Sequence, residues 1–316
     1  MKYLFGPVNS RRLGLSLGID IIPNKICSYN CIYCEVGPNT DQTCERREYV
    51  PVMDVLAEID LLLTDKEAVD RLDVFTITAS GEPTLHSGIG NIIRHIREKS
   101  GKPVAVLTNG SLLHIGEVRQ DLMAADIIIP SLDSARDESF RKINRPAACV
   151  ALEDIIKGMK DFNREFKGNL WLEILLAKGI NDSAEDIEAL VEATHSIQPE
   201  RIQLNTVVRP PLESFAVPLA RDELEHIAGY FHGNVEIIAD FTTKKQKHFR
   251  YANQNDILDM IQRRPCTADD IAQALNLDPS HVAATLKELT KSGRLTVTGH
   301  DGKFFYQKEN NDRKQN

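Results

Sequence analysis

Between residues 54 and 231 helical and strand patterns alternate, and that alternation leaves few architectures open to the chain. Apolar residues at Val55, Leu56, Ile59, Leu62 and Leu63 predict a helix over 54–65, and Ile89, Ile92, Ile93 and Ile96 predict another over 88–99. Short apolar runs at 18–22, 72–78, 104–107, 126–129, 170–176 and 201–207 read as buried strands. Helical stretches fall between and after them, near 114–124, 135–144, 150–167, 185–195 and 221–231. Repeated strand–helix units build a parallel sheet with crossover helices. Six strands fall short of the eight in a closed barrel. The expected fold is therefore α/β, with a parallel sheet of about six strands.

Past residue 240 the character changes. The run 241–252 is basic with interleaved aromatics (Phe241, Lys244, Lys245, Lys247, His248, Phe249, Arg250, Tyr251), as in a single-stranded nucleic-acid site or a docked linker. Three helices are then expected over 255–264, 267–275 and 280–292, with Thr267 and Asp270 spaced for a capping box. A β-hairpin turning at Gly299–Gly302 follows. This pattern resembles a small C-terminal winged helix-turn-helix domain. The resulting division is an α/β domain at 1–240, a linker at 241–252, the winged helix at 253–308 and a disordered tail at 309–316. Its third helix offers His281, Lys287 and Lys291, with Arg294 and Lys303 in the wing, while acids and bases balance over 255–316.

The net charge of −8 argues against wholesale electrostatic binding of nucleic acid, and no apolar run approaches the length of a membrane span. Six cysteines are few for 316 residues. Cys44, Cys149 and Cys266 are scattered, which suggests small hydrophobes in a reducing cytoplasm rather than a disulfide framework.

The other three cysteines stand together in Cys27-Ser-Tyr-Asn-Cys31-Ile-Tyr-Cys34, just beyond the first predicted strand. Clustered thiolates bind iron–sulfur clusters or zinc. A structural zinc needs a fourth ligand, but Cys44 lies ten residues on and the nearest histidine is His86. Three thiolates on a four-iron cluster leave one iron open for chemistry.

This CxxxCxxC spacing, with Tyr33 before the third cysteine, resembles the signature of the radical S-adenosylmethionine (radical SAM) superfamily. The resemblance implies that the six strands form the family's partial (β/α)6 TIM-like barrel, and that Cys27, Cys31 and Cys34 bind a [4Fe–4S] cluster whose open iron chelates S-adenosylmethionine. It further implies an oxidoreductase-type enzyme: an electron from a low-potential donor cleaves the cofactor to a 5′-deoxyadenosyl radical, which abstracts hydrogen from substrate. Ser80-Gly81-Glu82-Pro83 resembles the family's Gly-Gly-Glu-Pro motif, with serine for the first glycine, and implies a contact to the cofactor's amino group. Ser131 and Asp133 fall where family members contact the ribose or carboxylate. Asn109 lies between, and Tyr33 would seat the adenine, largely through its backbone.

Each predicted strand ends in such polar residues, as expected where active residues gather at the C-terminal ends of parallel strands. Lys178, Asn181, Asn205 and Arg209 are candidates for the substrate side, and Arg11 or Arg12 for an anion clamp. Phe5-Gly-Pro-Val-Asn-Ser-Arg-Arg-Leu-Gly14 and Leu204-Asn-Thr-Val-Val-Arg-Pro-Pro211 add a similarity to iron–sulfur oxidoreductases related to tRNA wyosine-base synthases. The second cysteine cluster of those synthases has no counterpart here. Three functions remain open: radical modification of RNA or a tRNA base, radical modification of a peptide or protein held by the winged helix, and a non-enzymatic redox sensor binding DNA.

Overall fold

The computed structural model describes residues 1–10, 12–23, 25–239, 254–275, 277–300 and 302–308. The expected linker at 241–252, the tail at 309–316 and Arg11 lie outside the described residues. The first half of the chain forms β1 (Leu4–Ser10), β2 (Gly14–Asp20), β3 (Ile26–Cys27), β4 (Asp41–Gln42), α1 (Val52–Leu63), α2 (Lys66–Asp70), β5 (Val74–Thr78), α3 (Ile89–Ser100), β6 (Val104–Thr108), α4 (Gly116–Leu122) and β7 (Ile127–Pro130). Then come α5 (Asp137–Asn144), α6 (Leu152–Glu165), β8 (Asn169–Leu176), α7 (Ala184–Ile197), β9 (Arg201–Thr206), α8 (Arg221–Ala228) and β10 (Val235–Ile237).

All six expected strands join one eight-stranded sheet, in the order β1-β2-β5-β6-β7-β8-β9-β10. Two members escaped the sequence reading. The three-residue β10 extends the parallel run, and β1 pairs antiparallel with β2. Gly6-Pro7 made β1 read as irregular, and its ladder does shift register between Phe5 and Val8. The strand expected at 18–22 also starts earlier, at Gly14.

Alternation along each strand divides the sheet into two chemically different faces. On one, Leu17, Ile19, Phe75, Ile77, Leu172, Ile174, Ile202 and Leu204 form a single apolar core with helix residues such as Ile92, Ile96 and Phe162. On the other, the intervening positions include Ser16, Thr76, Glu173, Gln203 and Asn205. Ser16 and Thr76 share a hydrogen bond of 2.6 Å between their hydroxyls. Arg12, in the β1–β2 turn, donates to Glu173 on β8 (2.6 Å) and Gln203 on β9 (2.8 Å). In a flat sheet β2 and β8 would stand four spacings of about 4.8 Å apart, farther than an arginine reaches. The sheet therefore curls around a polar interior, with β1 and β10 as its two edges, not paired with each other. Arg12 is committed to this internal ion pair, and the expected anion clamp is not formed by it.

Beyond residue 253, α9 (Gln254–Arg263), α10 (Ala268–Ala274) and α11 (Pro279–Lys291) precede the antiparallel hairpin β11 (Leu295–His300) and β12 (Lys303–Lys308). Thr267 and Asp270 form the expected capping box. Ile257, Leu258, Ile271, Val282, Leu286 and Leu289 make a second, separate apolar core. This C-terminal module rests on the barrel edge: Val8 of β1 packs on its core, and Asn9 Nδ2 donates to Gln273 O at 2.8 Å. No helix among the described residues is long and apolar enough to cross a membrane.

One expectation is overturned. Cys44 and Cys149, read as isolated small hydrophobes, are bonded to each other across 105 residues of sequence. The bridge joins the two segments that flank the cysteine loop. Thr43 N donates to Cys27 O at 3.2 Å from one, and Ala147 N to Ser28 O at 2.8 Å from the other. Sequence spacing alone gave no hint that these segments would meet.

Candidate active site

The cysteine loop leaves the C-terminal end of β2, as the strand-end rule requires. Cys27, Cys31 and Cys34 are free thiols. Two are met by side-chain amides: Asn109 Nδ2 donates to Cys27 Sγ at 3.5 Å, and Asn144 Nδ2 to Cys31 Sγ at 3.4 Å. Tyr29 N adds a third donor, to Cys27 Sγ at 3.4 Å. Sulfur is a weak acceptor as a thiol and a good one as a thiolate or cluster ligand. Burial, with the Glu82 carboxylate adding to it, pushes the Cys27 thiol up to about 12. Burial, with Asp133 adding to it, likewise raises Cys31. In this environment the thiolates need a cation to form. Among the described residues no three His, Cys, Asp or Glu groups converge on a single-ion site. In a four-iron cluster each of three thiolates binds a different iron, so the three need not converge on one ion.

The rim follows strand by strand. At the end of β5, Ser80 Oγ donates to Asp20 Oδ2 at 2.6 Å and Ser80 N to Asp20 Oδ1 at 3.2 Å, tying β5 to β2. Gly81 passes so close to β3 that a Cβ there would stand 1.7 Å from Ile26 O. Glu82 is 1% exposed. Its Oε1 accepts from Thr84 N (2.9 Å), Thr84 Oγ1 (2.5 Å) and Thr108 Oγ1 (2.6 Å), and its Oε2 from Asn109 N (2.7 Å). Burial raises its pKa despite these donors. Asn109, after β6, also donates to Ser28 Oγ at 2.8 Å, so it holds the cysteine loop from below.

After β7, Ser131 pairs in a bridge with Glu173 of β8. Asp133, 2% exposed, accepts from Tyr33 OH (2.5 Å) and Asn144 Nδ2 (2.6 Å) on Oδ2, and from Leu175 N (3.0 Å) on Oδ1. Burial lifts it to about 6. Tyr33 thus spends its hydroxyl on Asp133, a contact that the backbone role expected for it did not anticipate. Seven rim residues and three thiols lie at one end of the curled sheet.

The four substrate-side candidates separate. Lys178 is exposed and paired to Glu223 at 2.7 Å. Asn181 is fully buried and locks its own turn, donating to Asp133 O and Leu175 O and accepting from Ala177 N. Asn205 faces the polar interior and donates to Glu173 at 2.9 Å. Arg209 is buried against Glu35, the residue after Cys34, at 3.0 Å. Arg264 of the C-terminal module reaches the same carboxylate at 3.8 Å. Asp20 and Asn144 were missed by the sequence reading. Nothing local marks either one, because their partners lie 60 and 113 residues away.

The sequence from residue 21 to residue 193 matches the radical SAM superfamily. The chain belongs to that superfamily. A radical SAM protein is an enzyme, and its cofactors are a [4Fe–4S] cluster and S-adenosylmethionine, which removes the non-enzymatic sensor from the readings above. A UPF0026 protein of Methanocaldococcus jannaschii is 32% identical over 324 aligned positions, covering 100% of this chain and 99% of that protein. A Brachyspira hyodysenteriae protein described as GTPase Obg is 38% identical over 309 residues. That match covers 96% of this radical SAM chain but 45% of the other protein's length. Among solved structures, a radical SAM methyltransferase from Sphaerobacter thermophilus superposes with a TM-score of 0.57 at 14% identity, over 70% of this chain and 66% of the other. At that identity the likeness speaks for the fold.

Proposed function

We propose that Cys27, Cys31 and Cys34 hold the [4Fe–4S] cluster and that Ser80, Gly81, Glu82, Asn109, Ser131 and Asp133 form the S-adenosylmethionine pocket, with Tyr33 at its edge. The carrying observation is that three free thiols, two of them capped by amide donors, share one end of the barrel with two buried carboxylates. When bound, the reduced cluster supplies the electron that splits S-adenosylmethionine into methionine and a hydrogen-abstracting 5′-deoxyadenosyl radical. The chain's own residues bind and orient. Glu82 Oε2 takes one donor from Asn109, and a carboxylate oxygen has room for a second, here the cofactor's ammonium. Asp133, fixed by Tyr33 and Asn144, is held rigidly enough to position a ribose hydroxyl. The polar interior above Arg12 and Glu173 accepts a substrate rich in hydrogen-bonding groups, with Asn205 the substrate-side candidate that faces it.

For the substrate we favour an RNA base, with the C-terminal module acting as a winged helix. Lys287, Lys291, Thr290, Tyr306, Val297 and Ala283 line a groove of about 400 Å³ between α11 and the hairpin. Two ammonium groups beside an aromatic ring suit a phosphate backbone with a stacked base. The exposed Phe304 and Val297 on the same hairpin support the second reading, a peptide or protein substrate. Co-purified nucleic acid decides between them. RNA retained by the wild type and lost at high salt or in Lys287→Glu/Lys291→Glu supports the first reading. Binding indifferent to nuclease and salt sinks it.

A further inference from the structure

Asn144 ends α5, and the cysteine loop is hung from that helix end. Ile32 N donates to Ile143 O at 2.9 Å, and Asn30 N donates to Asn144 O at 3.0 Å. Helix-terminal carbonyls lack partners within the helix, and here the loop supplies them. The side chain continues the same job: one amide nitrogen serves both Cys31 Sγ and the Asp133 carboxylate. Its Oδ1, on a side chain 2% exposed, is buried without a hydrogen-bond partner. Leaving a buried acceptor unpaired is costly, and turning the amide over would only aim that oxygen at a carboxylate and a sulfur. The amide is thus held in an orientation that serves Cys31 and Asp133 at the expense of its own oxygen.

We propose that Asn144 is a positioning residue for the cluster: its N–H···S hydrogen bond fixes Cys31 and sets the reduction potential, and its second N–H keeps the cofactor-side carboxylate Asp133 in register with that ligand. Hydrogen bonds to cluster sulfurs withdraw electron density and make reduction easier, so removing one drives the potential down. The proposal rests on the assignment of Cys31 to the cluster.

The test is Asn144→Leu, close in volume and without polar atoms, reconstituted anaerobically and titrated by EPR. The melting temperature of the cluster-free protein falls, because the buried Asp133 carboxylate loses a donor, and a merely structural asparagine would change that temperature alone. The midpoint potential is expected to move negative and the EPR g-values of the reduced cluster to change. Asn144→Gln, which keeps an amide, restores part of both. A potential and spectrum unchanged in Asn144→Leu at wild-type iron content overturn the proposal. A wild type that binds no iron would instead defeat the assignment of Cys31. If Asn144→Leu does not fold, pulsed EPR on wild-type holoenzyme labelled with 15N in its asparagine side chains decides. Two couplings, from Asn109 and Asn144, are expected, and a single coupling overturns the proposal.

Discussion

Gly81→Ala adds one methyl group where the structure leaves no room. The new Cβ would stand 1.7 Å from Ile26 O, 2.6 Å from Ile26 C and 3.0 Å from Ile22 Cγ2. A carbon and a carbonyl oxygen settle at about 3.3 Å, so one backbone must retreat by roughly 1.6 Å. The nearest obstacle is main chain, which cannot rotate away as a side chain would. That retreat breaks the bond from Glu82 N to Ile26 O, now 3.0 Å. Overpacking costs about 1–3 kcal/mol, and a stranded buried amide adds about 1–3 kcal/mol. The sum is on the order of 2–6 kcal/mol, concentrated where Ile26 leads into Cys27. Urea denaturation of the cluster-free protein measures it, and iron content after anaerobic reconstitution shows whether the loop still loads. The expected result is a clear loss of stability together with poor iron loading. A variant within about 0.5 kcal/mol of wild type that loads iron normally would refute the reasoning about this backbone contact.

Other consequences can be checked independently. Glu82→Gln keeps an acceptor for Thr84 and Thr108 but loses the charge, so the cluster should assemble while S-adenosylmethionine affinity falls about 10–100-fold, the worth of a charged hydrogen bond. Loss of iron in that variant would contradict its role as a cofactor contact. His86 is fully buried, with Nε2 on Val50 O (2.9 Å) and Nδ1 accepting from Gly88 N (3.0 Å), and burial lowers its pKa. A lowered base contributes stability that is present above its unfolded pKa of about 6.5 and lost as pH falls through that value toward the folded one. Urea midpoints of the cluster-free protein should therefore drop from pH 7 to pH 5, with a flatter profile in His86→Gln; identical profiles would remove His86 from the account. Alkylation of the urea-unfolded, cluster-free protein without reductant should label Cys27, Cys31, Cys34 and Cys266 but spare Cys44 and Cys149. Because the bridge closes a loop of about 100 residues, Cys44→Ser/Cys149→Ser should lower stability by about 2–5 kcal/mol. Alkylation of all six would show that the bridge does not form.

What the sequence revealed is what recurs at short range. Apolar runs and period-3.6 patterns located every parallel strand of the eight-stranded sheet except β10, whose three residues are too short to carry a period. The thiol spacing and the strand-end rule point to the same end of the sheet, where Cys27, Glu82, Asn109 and Asp133 lie. Long-range pairing was invisible. Ser80 read only as part of a cofactor-contacting motif, yet its hydroxyl is spent on Asp20, and that of Tyr33 on Asp133. Lys178 read as a rim residue because it follows a strand, but Glu223 holds it at the surface. Asn144 looks like any helix end until the fold lays the cysteine loop across it. Such roles depend on which loops meet at the mouth of the barrel, and local sequence patterns do not encode that meeting.

The central claim is most directly tested by anaerobic reconstitution followed by addition of dithionite and S-adenosylmethionine, with 5′-deoxyadenosine measured by mass spectrometry beside a Cys31→Ala control. The account predicts 5′-deoxyadenosine from the wild type and none from the variant. A wild-type cluster that never cleaves the cofactor under several low-potential reductants, or cleavage that persists in Cys31→Ala, would contradict it.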